Sequence, residues 1–142
     1  MRRFAAVALT AGTLMAGMAA VGAPAEAAAT GSWKPYNSYS HVAAWGSYKR
    51  SGGSTAVTGY LADDKTNGWT ACVRFKFTEG SKVYWSRFKI VGYKNGASYN
   101  FDGKATVKIS VKSSYGSHMW VQECGRNKKT GKYYYGKGKK IF

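Results

Sequence analysis

Residues 69–78 read Trp-Thr-Ala-Cys-Val-Arg-Phe-Lys-Phe-Thr, and their alternation decides the fold class. Apolar side chains occupy the odd positions from 71 to 77, whereas Cys72, Arg74 and Lys76 occupy the even ones. A period of two is typical of a strand with one face in the core and one face in water. Since Cys72 falls on the polar parity, we expect either a bulge that shifts the register or a disulfide at an edge of the sheets.

Further β patterns lie on both sides of this segment. Residues 30–40 are rich in Ser, Asn and Gly and predict an irregular lead-in. Strands are predicted at residues 42–48, 55–62, 83–91, 105–112, 119–124 and 132–135. In the 105–112 segment, the valines and the isoleucine at odd positions are expected to face the core. Short strands separated by turn signals predict an all-β domain, a small antiparallel β-sandwich or a barrel-like domain with one disulfide.

The N-terminus has the layout of a secretory signal peptide. Two arginines follow Met1, an apolar run extends to about Val21, and an Ala-rich segment ends at Ala29. Small residues permit cleavage after Ala27 or after Ala29. The run is too short and too weakly apolar for a helix across roughly 30 Å of hydrocarbon, and no later segment is longer. We therefore predict a signal peptide at residues 1–29, a single secreted domain at residues 30–142, and no transmembrane segment after cleavage.

Two cysteines, Cys72 and Cys124, lie in the predicted mature domain. An even pair in an exported protein predicts a disulfide. Two free thiols for metal or redox chemistry would be the alternative, but the chain lacks a Cys-x-x-Cys spacing. No metal site and no cofactor are predicted.

Charge indicates the class of partner. The chain carries 22 Lys and Arg against 6 Asp and Glu, a net charge of +16. Removal of residues 1–29 takes Arg2, Arg3 and Glu26 away and leaves 20 basic against 5 acidic residues, or +15. Such a field attracts polyanions. The expected partner is an anionic polymer: a cell-wall polymer such as teichoic acid, an acidic polysaccharide or, less favoured, nucleic acid.

The candidate binding residues form two groups. The first group consists of cations at outward positions on three predicted strands, which would make one face if those strands share a sheet. The second group lies in a basic, Tyr-rich segment at 125–142. Solvating charge on an exposed sheet face, and Lys guarding an edge strand, are the alternative interpretations. The residues are Arg74, Lys76, Arg87, Lys89, Lys108, Lys112, Arg126, Lys128, Lys129, Lys132, Tyr133, Tyr135, Lys137, Lys139 and Lys140.

Catalytic patterns are weak. The predicted mature domain has five acids, and its two histidines are His41 and His118. A nuclease would pair His118 with Glu123 or His41 as acid and base. Nucleophile-elbow, phosphate-loop, zinc and calcium motifs are all missing from the sequence. No catalytic residue is predicted, and the enzyme remains the minority hypothesis.

The leading hypothesis is a secreted, non-enzymatic, basic protein that binds an anionic polymer, with the cell envelope as the expected target. An antimicrobial or toxin-like protein acting on membranes is one alternative, although the chain lacks an amphipathic helix. An inhibitor or assembly component that binds another secreted protein is a further alternative, in which charge would mainly steer association.

Overall fold

The computed structural model describes residues 28–92 and 102–142. All its strand pairs are antiparallel. The strands of these two ranges are β1 (Ala29–Trp33), β2 (Val42–Ser51), β3 (Ser54–Asp63), β4 (Trp69–Glu79), β5 (Lys82–Trp85), β6 (Lys89–Ile90), β7 (Ala105–Ser113), β8 (His118–Asn127), β9 (Tyr133–Tyr135) and β10 (Lys139–Lys140). No described segment forms a helix with the length and apolarity that crossing a membrane requires.

The strands form two sheets. The first has four strands in the order β1-β2-β3-β7. The second has six strands and is centred on the long β4–β8 pair. Short strands β5 and β6 share the free edge of β4, while β9 and β10 share the free edge of β8. The sheets curl as a half-barrel. Because the described residues form antiparallel strands and no helix, the predicted all-β class is confirmed.

One hydrophobic core lies between the sheets. The odd-numbered side chains of β4 from Ala71 to Phe77 are buried in it, and Val121 of β8 joins them. Ile109 and Val111 enter it from β7, while Lys108 and its even-numbered neighbours stay exposed. The predicted faces of both strands are confirmed.

Residues 30–33 were predicted as part of an irregular lead-in but belong to β1, which pairs with β2 over five residues. Trp33 explains the difference. Its indole is buried, donates from Nε1 to the Thr58 carbonyl at 3.0 Å, and meets the Phe75 ring edge-on at 4.9 Å. A single buried indole anchors this edge strand, so no alternating pattern marks it in the sequence.

The single strand predicted at 83–91 is broken at Ser86 into β5 and β6. The buried Ser86 hydroxyl accepts a hydrogen bond from Phe75 N–H at 2.9 Å, and Ser86 N–H donates to the Phe75 carbonyl at 2.8 Å. The Ser86 hydroxyl thus accepts the Phe75 N–H hydrogen bond that a backbone carbonyl would accept in a continuous strand. The pairing with β4 resumes at Lys89 and Ile90.

The disulfide joins Cys72 to Cys124, with S–S 2.06 Å and Cα–Cα 4.8 Å. The two cysteines are directly opposed in a β4–β8 register that runs unbroken over ten pairs. Neither a bulge nor a sheet edge accounts for the polar parity of Cys72. Both cysteines face away from the main core and are fully buried in a second, small cluster with Ile90, Phe88 and Tyr133.

Candidate functional site

The outer face of the six-stranded sheet carries a row of alternating cations and aromatic rings. Strand register places Lys140 opposite Trp120, Trp120 opposite Lys76, and Lys76 opposite Trp85. Lys76 Nζ lies 4.0 Å from the Trp120 ring centroid and 5.8 Å from that of Trp85, and Lys140 Nζ lies 5.7 Å from that of Trp120. Because neighbouring strands are about 4.8 Å apart, this row spans roughly 14 Å across the strands.

Arg74 occupies the next outward position on β4 and is held on several sides. Its guanidinium carbon lies 4.1 Å from the Trp85 ring centroid and 4.2 Å from that of Tyr135. Its Nε donates to Gln122 Oε1 at 2.7 Å, and Gln122 Nε2 donates in turn to the Gly136 carbonyl. The guanidinium is therefore fixed in orientation between two rings. We define the cation–aromatic face by the outward residues Arg74, Lys76, Trp85, Trp120, Tyr135 and Lys140.

The disulfide cluster supports one end of this face. The Phe88 ring stacks on Tyr133 at 4.7 Å with an interplanar angle of 12°, and on Tyr135 at 5.9 Å. Phe88 and Tyr133 pack on the cysteines, whereas Tyr135 remains 42% exposed. Trp85 is likewise 43% exposed. The Tyr135 ring therefore rests on the disulfide cluster on one side and meets water on the other, which leaves one ring face accessible for stacking contacts.

Acidic side chains are placed elsewhere. Of the five acids in the described ranges, Asp63 and Glu123 are buried on the inner side. Asp102 accepts hydrogen bonds from loop N–H groups and lies 3.8 Å from Lys128; these hydrogen bonds hold its pKa below the ordinary value. Glu79 lies at the end of β4 and accepts from Gly116 N–H. No described carboxylate lies within the cation–aromatic face to neutralise it.

A cleft of about 740 Å³ adjoins this face at the edge of the two sheets. Four cations line it without an acidic residue among its described lining: Arg74, Arg87, Lys89 and Lys108. Phe88 and Tyr133 supply part of its apolar wall. Arg74 lines the cleft and belongs to the cation–aromatic face, so the two are continuous.

The structure divides the first predicted group of cations. Arg74 and Lys76 lie on the cation–aromatic face, and Arg87 and Lys89 lie beside it in the cleft. Strand β7 belongs to the four-stranded sheet, however, so the three predicted strands do not form one face. Lys108 reaches the shared cleft from that sheet. Lys112 lies on β7 with its side chain exposed.

The C-terminal group is folded onto β8 rather than extended as one basic segment. Lys140 joins the row, and Lys139 Nζ lies 5.6 Å from the Tyr36 ring. Arg126 lies 5.8 Å from the Tyr133 ring. The remaining cations are exposed in the turns around β9: Lys128, Lys129, Lys132 and Lys137.

Two residues of the cation–aromatic face, Trp85 and Trp120, were not among the predicted binding residues. The sequence held part of the information, because each tryptophan occupies an outward-facing position of a strand in the sheet that also carries the cations. What the sequence lacks is the register that places Trp120 beside Lys76.

The histidines lie apart from this face or at its margin. Exposed His118 contacts Trp120 edge-on at 5.8 Å, whereas Glu123 projects from the opposite face of β8 into the interior. The hypothetical acid–base pair of His118 with Glu123 is therefore not assembled. His41 is also buried. Burial lowers the pKa of His41, and nearby carboxylates partly oppose this shift. Burial raises the pKa of Asp63, and hydrogen bonds from Ala71 N–H and Lys65 N–H partly oppose that shift.

Among the described residues, no cluster of three or more His, Cys, Asp or Glu side chains could hold a metal ion. Comparison of the chain with protein-family models, with curated proteins and with solved structures gave no match.

Proposed function

We propose that this chain is a secreted, non-enzymatic binding protein that attaches to an anionic polymer through its cation–aromatic face, with polymers of the cell envelope as its target. The observation that carries the proposal is the in-register row Lys140–Trp120–Lys76–Trp85. A polymer lying across the strands along this row meets a cation and a ring alternately, about every 4.8 Å.

Charge alone would give weak, unselective and strongly salt-dependent binding. The rings add a contribution that salt screens much less, because stacking depends on surface burial rather than on counterion release. A polymer whose repeat unit combines a phosphate or carboxylate with a flat or C–H-rich portion would contact both the cations and the rings. The cleft then offers Arg87, Lys89 and Lys108 to an anionic substituent beside the row.

Secretion is part of the proposal. The buried disulfide supports it, since such bonds persist in oxidising compartments outside the cytosol. The signal-peptide layout of residues 1–27 lies outside the described residues. Cleavage after Ala27 would leave β1 whole, whereas cleavage after Ala29 would remove the residue that pairs with Arg50. We therefore favour the first site.

The test is co-sedimentation of the mature protein with Gram-positive cell walls, before and after removal of their teichoic acids, at low and at physiological salt. The proposal expects binding that is lost when the anionic polymer is removed. Equal binding to stripped walls, or no binding to either, would overturn it. Leakage of anionic vesicles would instead support the membrane-active alternative.

A further inference from the structure

The outer face of the four-stranded sheet carries a second aromatic site. Trp45 and Tyr60 are opposed in the β2–β3 register, and their rings stack at 5.7 Å with an interplanar angle of 27°. They remain 44% and 40% exposed. The β3–β7 register continues this row to Lys108.

A row of small hydroxyl side chains lies directly beside the rings. Ser47 opposes Thr58, and Thr58 opposes Ser110, across the same three strands. The Ser47 and Thr58 hydroxyl oxygens are 3.4 Å apart. Both rows line a shallow groove of about 600 Å³. We call this set the Trp45 platform: Trp45, Tyr60, Lys108, Ser47, Thr58 and Ser110.

The backbone beneath the platform is packed tightly. Gly46 and Gly59 oppose each other between the two rows, and a Cβ on Gly59 would lie 2.7 Å from the Trp33 indole. That indole also holds the Thr58 carbonyl. The strands that carry the platform are thereby fixed to the core, so its rings and hydroxyls keep one relative placement.

We propose that the Trp45 platform binds an uncharged glycan strand. A pyranose ring presents C–H groups on one face and hydroxyls around its rim. The C–H face fits the exposed Trp45–Tyr60 surface, and the rim hydroxyls meet the Ser47, Thr58 and Ser110 hydroxyls, each of which donates and accepts.

The chemistry of the platform favours this ligand over others. Its two rows contain one cation, Lys108, whereas the cation–aromatic face alternates cation with ring, so a polyanion gains less here. An apolar protein surface would desolvate the hydroxyl row without satisfying it. The two sites lie on the outer faces of different sheets, and Lys108 lies between them because it lines both the cleft and the platform groove. A chain with both can join an anionic polymer to a neutral glycan.

The test is titration of the folded protein with uncharged hexasaccharides of N-acetylglucosamine and of β-linked glucose at high salt, followed by amide chemical shifts in NMR spectra. We expect shifts centred on β2 and β3. Trp45→Ala should weaken binding about tenfold or more, as loss of a stacking partner does. Trp45→Tyr should restore most of it, and Thr58→Val should weaken it while keeping the shape of the side chain.

The matched control is Trp120→Ala, which removes an indole from the other sheet and should leave hexasaccharide binding unchanged. Trp45→Ala should leave binding to anionic polymer unchanged, so failure of either site is seen separately. Absence of binding by the wild-type protein to both sugars would overturn the inference. So would wild-type affinity in a Trp45→Ala protein whose thermal melting shows that it is folded.

Discussion

Replacement of Lys76 and Lys140 by Gln removes both cations from the row while keeping side chains of useful length. Both ammonium groups lie over the Trp120 ring, at 4.0 and 5.7 Å, so they act on the same stretch of a bound polymer. If each neutralises one anionic group of a single-stranded polymer, each releases counterions on binding. The slope of log K against log salt should then become shallower by about 1.4, at roughly 0.7 for each contact.

The assay is equilibrium binding to a defined linear polyanion, such as poly(glycerol phosphate), over a series of salt concentrations. The control is the double variant Lys49→Gln with Lys112→Gln. It removes the same charge from the chain, but both positions lie in one register row of the four-stranded sheet with exposed side chains. Its slope should equal that of the wild-type protein.

Equal reductions of the slope by the two double variants would refute a role for the row, because binding would then depend on net charge alone. An unchanged slope in both double variants would also refute it. Trp120→Ala supplies an independent check. Loss of the indole contact should lower affinity at every salt concentration and leave the slope nearly unchanged, because the indole carries no charge.

Three further outcomes concern stability. Replacing Cys72 and Cys124 together by Ala should lower the free energy of unfolding by up to about 4 kcal/mol, from the loop of 52 residues, in denaturant titrations; an unchanged midpoint would contradict this. Burial lowers the pKa of His41, so the unfolded chain binds this proton more readily than the folded chain does. The free energy of unfolding should therefore fall as pH drops through about 6.5, and His41→Gln should flatten that fall. A pH-independent denaturation midpoint in the wild-type protein would refute this prediction. Gly59→Ala places a Cβ against the Trp45 carbonyl and the Trp33 indole and should lower the free energy of unfolding by about 1–3 kcal/mol. Gly138→Ala, whose Cβ would meet open space, should lower it by less than about 0.5 kcal/mol. Equal melting temperatures of the two variants would refute the packing argument.

Much of the fold could be predicted because local alternation encodes it. In β7, and in β4 from Val73 to Thr78, burial alternates with side-chain polarity, and both strands lie within one residue of their predicted bounds. Strand β1 could not be found in this way, since Trp33 alone anchors it. The break at Ser86 was equally hidden, because it depends on a hydroxyl that meets a backbone N–H eleven residues away.

The cations and Tyr135 of the candidate site could be predicted from the sequence, but its two tryptophans and the arrangement of its residues could not. Parity identified Arg74 and Lys76 as outward, yet it could not place β7 in the other sheet or bring Lys140 back across β8. Which residues stand side by side across strands is set by register, a long-range property of the folded chain. Trp120 therefore becomes recognisable as a site residue only when β4, β8 and β10 are paired.

The position of the disulfide links the stability of the fold to the order of the cation–aromatic face. A bridge at inward positions of β4 and β8 would lie in the main core. Instead the Cys72–Cys124 pair lies on the outer face of the sheet, where Phe88 and Tyr133 cover it and Tyr135 stacks beside them. Arg74 is then held between Tyr135 and Trp85 before any ligand arrives. Ordering a long side chain on binding costs about 0.5–1.5 kcal/mol, so on the proposed function a guanidinium already fixed by two rings and a hydrogen bond would bind an anion with much of that cost removed.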